Sequence, residues 1–334
     1  MERKSNILVV GTGFSGSVIA RELADKGYNV TIIDRRSHIG GNCFDEMVNG
    51  VRVHKYGPHL FHTNNAKVVD WLSKFTEWVV YKHKVKAYFN GEFLTLPPNQ
   101  HTQNVLGDRL FDVIYAPYTL KMWGTLDIDK KILDRVKVRD DDNEFYFPND
   151  LYQYLPKDGY TKVFENILDH PNITVQLNTI YDKAQESQYD RVFNSMAIDE
   201  YYNYCYGELP YRSIKFHHTD TIDFKMPTAV VNFTDNNKFT RVTNWSILPS
   251  HGSGELYTLE EPCDYKENNY ERYYPVKDVD NINKVVYNKY KSIYNNKVTF
   301  IGRCGLYTYL DMDMAIASSL SIANQFLNSN EGIL

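Results

Sequence analysis

Short apolar runs that end at glycine alternate along this chain with stretches of helical period. Asn6–Val10 carries four consecutive apolar residues and runs into Gly11, which predicts a buried strand entering a turn. Ser17–Lys26 places Val18, Ile19 and Leu23 on one side of a helix that Gly27 ends. Asn29–Asp34 reads as a second strand, parallel to the first in a short βαβ unit. Helical patterns follow at about 66–78, and a hairpin-like stretch at 80–96 is interrupted by Leu96-Pro97-Pro98. Residues 99–135 look mostly helical, broken near Pro117 and Gly124. Residues 143–162 look loop-rich, with Pro148, Pro156 and an Asp158-Gly159 turn.

The second half returns to short strands. Lys162–Leu168 predicts a helix, and Ile173–Leu177 and Arg191–Ser195 predict strands. Tyr211–His218, Ala229–Phe233 and Tyr257–Leu259 are β-like, and Val298–Gly302 is a late strand. A final helix, about Met312 to Leu327, has an apolar face at Ile316, Leu320, Ile322 and Phe326. The ends therefore carry α/β pattern, and the middle carries inserted helical and sheet material.

Gly11-Thr-Gly13-Phe14-Ser15-Gly16 sits between the first strand and the first helix, in G-x-G-x-x-G spacing. The glycines allow a tight turn, close approach of backbone to a pyrophosphate, and close helix–strand packing. The helix N-terminus supplies N–H groups and partial positive charge. Asp34 ends the second strand, where a carboxylate accepts from adenosine ribose hydroxyls. Together these predict a Rossmann-like dinucleotide domain, for FAD or NAD. Arg35-Arg36 and the glycine loop around Gly41 and Asn42 follow. A late Gly302-Arg303 before another helix suggests a second contact with a long cofactor, which favours FAD.

Composition narrows the partners. A net charge of -5 without a strong basic block argues against double-stranded nucleic acid. No apolar stretch is long enough to span a bilayer, so no membrane insertion is expected. Four cysteines at 43, 205, 263 and 304 lack Cys-x-x-Cys spacing, which suits reduced thiols of a cytoplasmic protein and no structural zinc. His54, His59 and His62 do not follow a zinc pattern either, so no metal is expected; they read as loop histidines, two of them beside a cofactor. Arg135 and Arg139, four apart, share a face in either helix or strand and suit a diphosphate or a solvated patch. Arg241 and Arg303 are further anion binders. Tyr118 and Trp123 read as base-stacking or packing rings among 27 tyrosines and four tryptophans.

The ordered segments GTGFSG (11–16), HIGGN (38–42), HKYGPHLFHT (54–63), YTLKMWG (118–124), RVKVR (135–139), YYPV (273–276) and IGRCGLYTYLDMDMAI (301–316) resemble the bacterial-type UDP-galactopyranose mutases, a family of flavin-dependent UDP-sugar mutases. The resemblance covers nearly the whole chain. It implies an α/β fold: a Rossmann-like FAD-binding domain (1–64 with 173–210 and 296–334), an inserted, shortened helical subdomain (65–135), and an antiparallel-sheet substrate region (136–172 and 211–295). It implies an isomerase that uses reduced FAD to interconvert UDP-galactopyranose and UDP-galactofuranose through a flavin N5 sugar adduct, for polysaccharide biosynthesis. A reductant such as NAD(P)H would keep the flavin reduced. The same ring contraction on UDP-arabinopyranose or UDP-N-acetylgalactosamine, a flavin amine oxidase-like oxidoreductase, and a non-catalytic UDP-sugar or flavin-binding protein stand as alternatives.

By resemblance, His59, His62, Arg139 and Arg303 surround the reacting centre. Gly11, Gly13, Phe14, Ser15, Gly16, Asp34, Arg35, Gly41, Asn42, His59, Gly302, Arg303, Asp311 and Met312 hold the cofactor. Tyr118, Trp123, Arg139, Arg241, Tyr274, Arg303 and Tyr309 meet the substrate, with loop closure around Gly124 to Asp150 completing the site. Pro58 and Asp158 depart from the family pattern. Tyr154 replaces a small residue and, if turned inward, favours a small sugar. The resemblance implies a homodimer, to which the insert contributes in typical bacterial members; here the insert is reduced between about 65 and 135.

Overall fold

The computed structural model describes residues 5–126, 138–276, 278 and 280–330. A five-stranded parallel sheet forms the base, in the order Ile173–Gln176, Asn29–Ile33, Asn6–Val10, Arg191–Asn194 and Val298–Phe300. Its central strand is buried from Ile7 to Val10, as a parallel strand covered on both faces must be. On one face, helix Phe14–Asp25 packs against the terminal helix Met312–Asn330, through Ile19, Leu23, Ala323 and Leu327. On the other face lie Leu8, Val10, Val192 and Tyr201.

A seven-stranded sheet forms the second layer. Its order is Tyr274–Pro275, Tyr211–Thr219, Tyr257–Asp264, Arg241–Asn244, Val230–Phe233, Val85–Phe89 and Glu92–Leu96. The pairings are antiparallel except for Val230–Phe233 with Val85–Phe89, which run parallel. The sheet region is thus mixed rather than purely antiparallel. A third, three-stranded sheet sets Phe61–Thr63 and Trp78–Val80 on either side of Tyr152–Pro156.

The structure adds detail to three regions read from sequence. The 65–135 insert is only partly helical, because its hairpin Val85–Leu96 completes the large sheet through Val85, Ala87, Leu94 and Leu96. Its described helices are Ala66–Leu72, Gln100–Leu106 and Ala116–Trp123, with a wider helical turn at Phe111–Tyr115. Residues 152–156, read as loop, are a strand, since Gln153 and Leu155 are buried between two partners. The following helix Tyr160–Leu168 packs on Phe14 and Val18 of the nucleotide-binding layer rather than on the substrate sheet.

Candidate functional site

All five parallel strands end at one cavity of about 360 Å³. Gly11, Asp34, Thr179–Tyr181, Ser195–Ala197 and Gly302 each follow a strand's carboxyl end and line it, as ligand sites of open α/β sheets do. Gly11 has φ +97°, and a Cβ there would lie 2.0 Å from Ser195 Oγ. A Cβ on Gly41 would come 2.9 Å from Gly13 Cα, so the two glycine loops meet backbone to backbone. This is a cradle that side chains would fill. Asp34 Oδ2 accepts from Thr12 N (2.8 Å) and Thr12 Oγ1 (2.7 Å), tying the second strand to the glycine turn. Its Oδ1 accepts from Arg36 N at 3.0 Å.

The cavity collects the cofactor-side candidates Gly11, Gly13, Phe14, Ser15, Gly16, Asp34, Arg35, Gly41, Asn42, His59, Gly302, Arg303, Asp311 and Met312. Gly302 (φ +70°) places a would-be Cβ 3.2 Å from Ser15 Oγ, so the late glycine returns to the start of the first helix. Arg36 was not singled out, yet it donates to Asn42 Oδ1 at 2.9 Å, pairs with Glu271 at 2.5 Å and covers the Tyr56 ring. Arg35 approaches Glu271 at 3.2 Å. Thr179, Ile180, Ser195, Glu200 and Arg272 are also cavity residues that motif reading missed. Their signal was positional: most of them follow a parallel strand.

Arg303 joins this cavity to a second cluster. Its guanidinium donates to Tyr273 O (2.9 Å) and Leu310 O (2.7 Å) and lies over Tyr309 and Tyr274 at 4.9 and 5.6 Å. Those two rings stack at 5.9 Å, and Tyr309 OH donates to Asp311 at 2.7 Å. Arg241 sits 2.7 Å from the buried Glu260 carboxylate and feels Tyr118 and Tyr274 beside it. Burial pushes the Tyr118, Tyr274, Tyr309 and Tyr146 hydroxyls up, so all four are protonated donors at neutral pH. Tyr146 and Tyr309 nevertheless keep 37% and 43% of their surface open.

Trp123 ends the helix that carries Tyr118. Five residues at 100° each put it roughly 140° around the axis, so the two rings face different sides. Arg139 stands outside the tyrosine–arginine cluster: its guanidinium donates to Phe145 O (2.6 Å) and Pro97 O (3.1 Å) and pins the hairpin. A half-buried guanidinium gains by pairing with carbonyls that are themselves partly desolvated. Arg135 lies outside the described residues. Tyr154 is half-buried and stacks on Trp78 at 5.5 Å, packed against the core cluster.

His59 and His62 take different settings. His59 lines the cavity, its Nδ1 2.8 Å from Gly57 O, and burial lowers its pKa to about 4. His62 pairs with Asp150 at 2.7 Å and stacks on Phe147 at 3.5 Å. His83, buried and lowered to about 3 by desolvation, lies between His62 and Arg241 in charge range of both. Tyr146, Phe147, Asp150 and His83 were missed; only the aromatic run before Pro148 hinted at them. Among the described residues, no group of three or more His, Cys, Asp or Glu could hold a metal, and no helix is long and apolar enough to cross a membrane.

Comparison with known proteins agrees with this geometry. The family model "UDP-galactopyranose mutase" matches residues 113–309, and one for an NAD(P)-binding Rossmann-like domain matches 9–75. A probable UDP-galactopyranose mutase of Klebsiella pneumoniae is 35% identical over 97% of this chain and 95% of its own. A dTDP-fucopyranose mutase of Escherichia coli is 33% identical over 98% of this chain and all of its own. The crystal structure of a reduced UDP-galactopyranose mutase superposes with a TM-score of 0.73 at 15% identity, covering 98% of this chain and 94% of that one. A putative protoporphyrinogen oxidase from Exiguobacterium shares the fold more loosely, with a TM-score of 0.61. With a family model covering more than half its length and relatives above 30% identity end to end, this chain belongs to the UDP-galactopyranose mutase family of nucleotide-sugar mutases.

Proposed function

We propose that this protein is a FAD-dependent mutase that interconverts the pyranose and furanose forms of a nucleotide-diphosphate sugar, with UDP-galactopyranose as the leading substrate. The observation that carries this reading is Arg303, which lines the dinucleotide cavity and anchors the tyrosine–arginine cluster at the same time. A cofactor and an anionic substrate held on either side of one guanidinium are held next to each other.

The residues fit a flavin dinucleotide. Gly11, Gly13, Gly16 and Gly41 let the strand, the turn and the second loop pack closely beneath the first helix's N-terminus, where a pyrophosphate would sit; Asp34 lines the cavity at the end of the second strand, and Gly302, Asp311 and Met312 line it from the C-terminal segment. Reduced flavin, when bound, supplies the nucleophile for the sugar carbon. The chain's own groups bind and orient. Arg303 retains three of its five N–H donors after its two carbonyl bonds, and with Arg241 it neutralises a diphosphate. The Tyr118 and Tyr274 hydroxyls donate to the same oxygens or to the sugar, and the Tyr309 ring, its O–H held by Asp311, packs beside Arg303. His59 presents an uncharged imidazole to the cavity, and Asp150 fixes the ring of His62. Arg139 enters this account only through a loop rearrangement that frees it from Phe145 O and Pro97 O.

The dTDP-fucopyranose mutase, within two percentage points of the Klebsiella relative, supports a second reading: the same exchange on a dTDP-sugar. Two measurements test the assignment. Protein released by denaturation should yield FAD, seen by its absorbance; a nicotinamide nucleotide or nothing would refute the cofactor. UDP and dTDP should displace a fluorescent nucleotide-sugar probe with affinities that rank the base; failure of both would refute the substrate class.

A further inference from the structure

His54 and His251 are 197 residues apart and nearly inaccessible, and their Nε2 atoms meet at 3.0 Å. Their partners fix every proton. The His59 backbone N–H can only donate, so His54 Nδ1, 3.0 Å away, must accept. A neutral His54 then carries its proton on Nε2 and donates it to His251 Nε2. His251 in turn holds its proton on Nδ1, which faces Pro249 O at 2.8 Å, a pure acceptor. His59 Nδ1 meets Gly57 O at 2.8 Å and is likewise a donor, so its Nε2 carries a lone pair.

The local sequence explains the geometry. His54 to Gly57 is a turn closed by Gly57 N to His54 O at 3.2 Å, and Gly57 has φ +85°. Pro58 fixes the next φ and brings His59 N back onto the His54 ring. The 245–254 segment docks through Arg52 N to His251 O at 2.7 Å and Val51 against Gly252. Trp245 and Tyr160 flank the His54 ring at 5.1 and 5.4 Å.

We propose that His54 and His251 are positioning residues: they lock each other's tautomers and, through the His59 backbone N–H, hold the 57–59 loop so that His59, its own tautomer set by Gly57 O, shows the cavity an uncharged ring with its Nε2 lone pair available. That ring accepts a hydrogen bond from an N–H or O–H of the bound cofactor. The inference rests on the flavin reading only for the identity of that donor. Protonating His54 on Nδ1 or His251 on Nε2 breaks a bond, because the incoming proton would face a donor. The charged and titratable groups around the pair are Arg52, Asp45, Tyr160 and His59. Arg52 disfavours a further positive charge on both rings, as do Arg303 and Arg241 on His59.

The test uses the purified protein with its bound cofactor, labelled with 15N-histidine, and reads ring nitrogens in long-range 1H–15N spectra. His54 should show an unprotonated Nδ1, His251 an unprotonated Nε2, and neither should titrate from pH 8 to 5.5. A protonated His54 Nδ1, or an ordinary imidazole midpoint for either ring, would overturn the proposal. His251→Leu removes the acceptor and should release His54 into tautomer exchange and weaken cofactor binding about tenfold. His251→Gln, whose carbonyl accepts and whose amide donates, should restore both within about twofold. Equal cofactor affinity in the Leu variant, or no rescue by Gln, would also overturn it. If His251→Leu does not fold, the native spectrum and the Gln variant still decide. Locked tautomers in a protein without mutase turnover would remove the function reading and leave this one standing.

Discussion

Replacing Gly11 by Ala tests the heart of the dinucleotide cradle. The new Cβ would lie 2.0 Å from Ser195 Oγ, but 3.4 Å from Ser195 Cβ, which is ordinary contact. Two costs follow. Holding a non-glycine residue at φ +97° costs about 1–3 kcal/mol. Forcing Ser195 aside adds about 1–3 kcal/mol of overpacking. Gly11→Ala should therefore lose about 2–6 kcal/mol. Ser195→Ala alone removes one hydrogen bond, Oγ to Val10 O at 2.6 Å, and should lose about 1 kcal/mol. In the double variant the clash is gone and only the φ cost and the lost bond remain. Its total should fall short of the sum of the singles by about 1–3 kcal/mol. Guanidinium unfolding of the cofactor-free proteins at 25 °C gives all four free energies. Additive losses, or a neutral Gly11→Ala, would refute the contact from which the cradle was argued.

Other consequences are equally concrete. Arg303→Ala should weaken UDP binding by about 10- to 100-fold, the worth of a charge-assisted hydrogen bond, with Arg303→Lys in between; unchanged affinity by calorimetry would remove Arg303 from the diphosphate site. Asp150→Asn should lower kcat by about tenfold or more while leaving the UDP Kd in place, because the Asp150 carboxylate holds His62 and Asn64 rather than Arg303 or Arg241; a loss confined to KM would contradict this. Acid should destabilise the fold early. His54, His59, His83 and His251 are all held below the ordinary imidazole value by burial, His59 to about 4 and His83 to about 3. The unfolded chain takes up their protons near pH 6.5 while the folded one resists, so stability present above pH 6.5 is lost as pH falls toward 4. Each such proton gives a slope of about 1.4 kcal/mol per pH unit. A flat denaturation midpoint from pH 7 to 4.5 would contradict the burial of these rings.

The nucleotide-binding layer was the most legible part of the sequence, because its signals are local. Gly11, Gly13 and Gly16 sit in fixed spacing between a run of apolar residues and a helix, and Asp34 ends the next strand. The late Gly302 was legible for the same reason. The partners Arg139 has here were not legible, because spacing names a charge but not its partner: Pro97 O, 42 positions upstream, and Phe145 O are brought to it by tertiary structure. The packing of Tyr154 was not legible because strand register decides which side of the chain a ring takes, and its register with Phe61 is set across 93 positions of sequence. His251 and His83 escaped notice for a related reason. Each is an isolated histidine in sequence, and only tertiary packing gives it a neighbour.

The most direct test of the account is anaerobic turnover of the dithionite-reduced protein. UDP-galactofuranose, UDP-arabinofuranose, the 2-acetamido analogue and dTDP-fucofuranose would be offered separately, with products read by chromatography. The account predicts conversion of one of them to its pyranose without net oxidation and without reductant consumed in proportion to product. No conversion of any, with reduced flavin and nucleotide binding both verified, would contradict it.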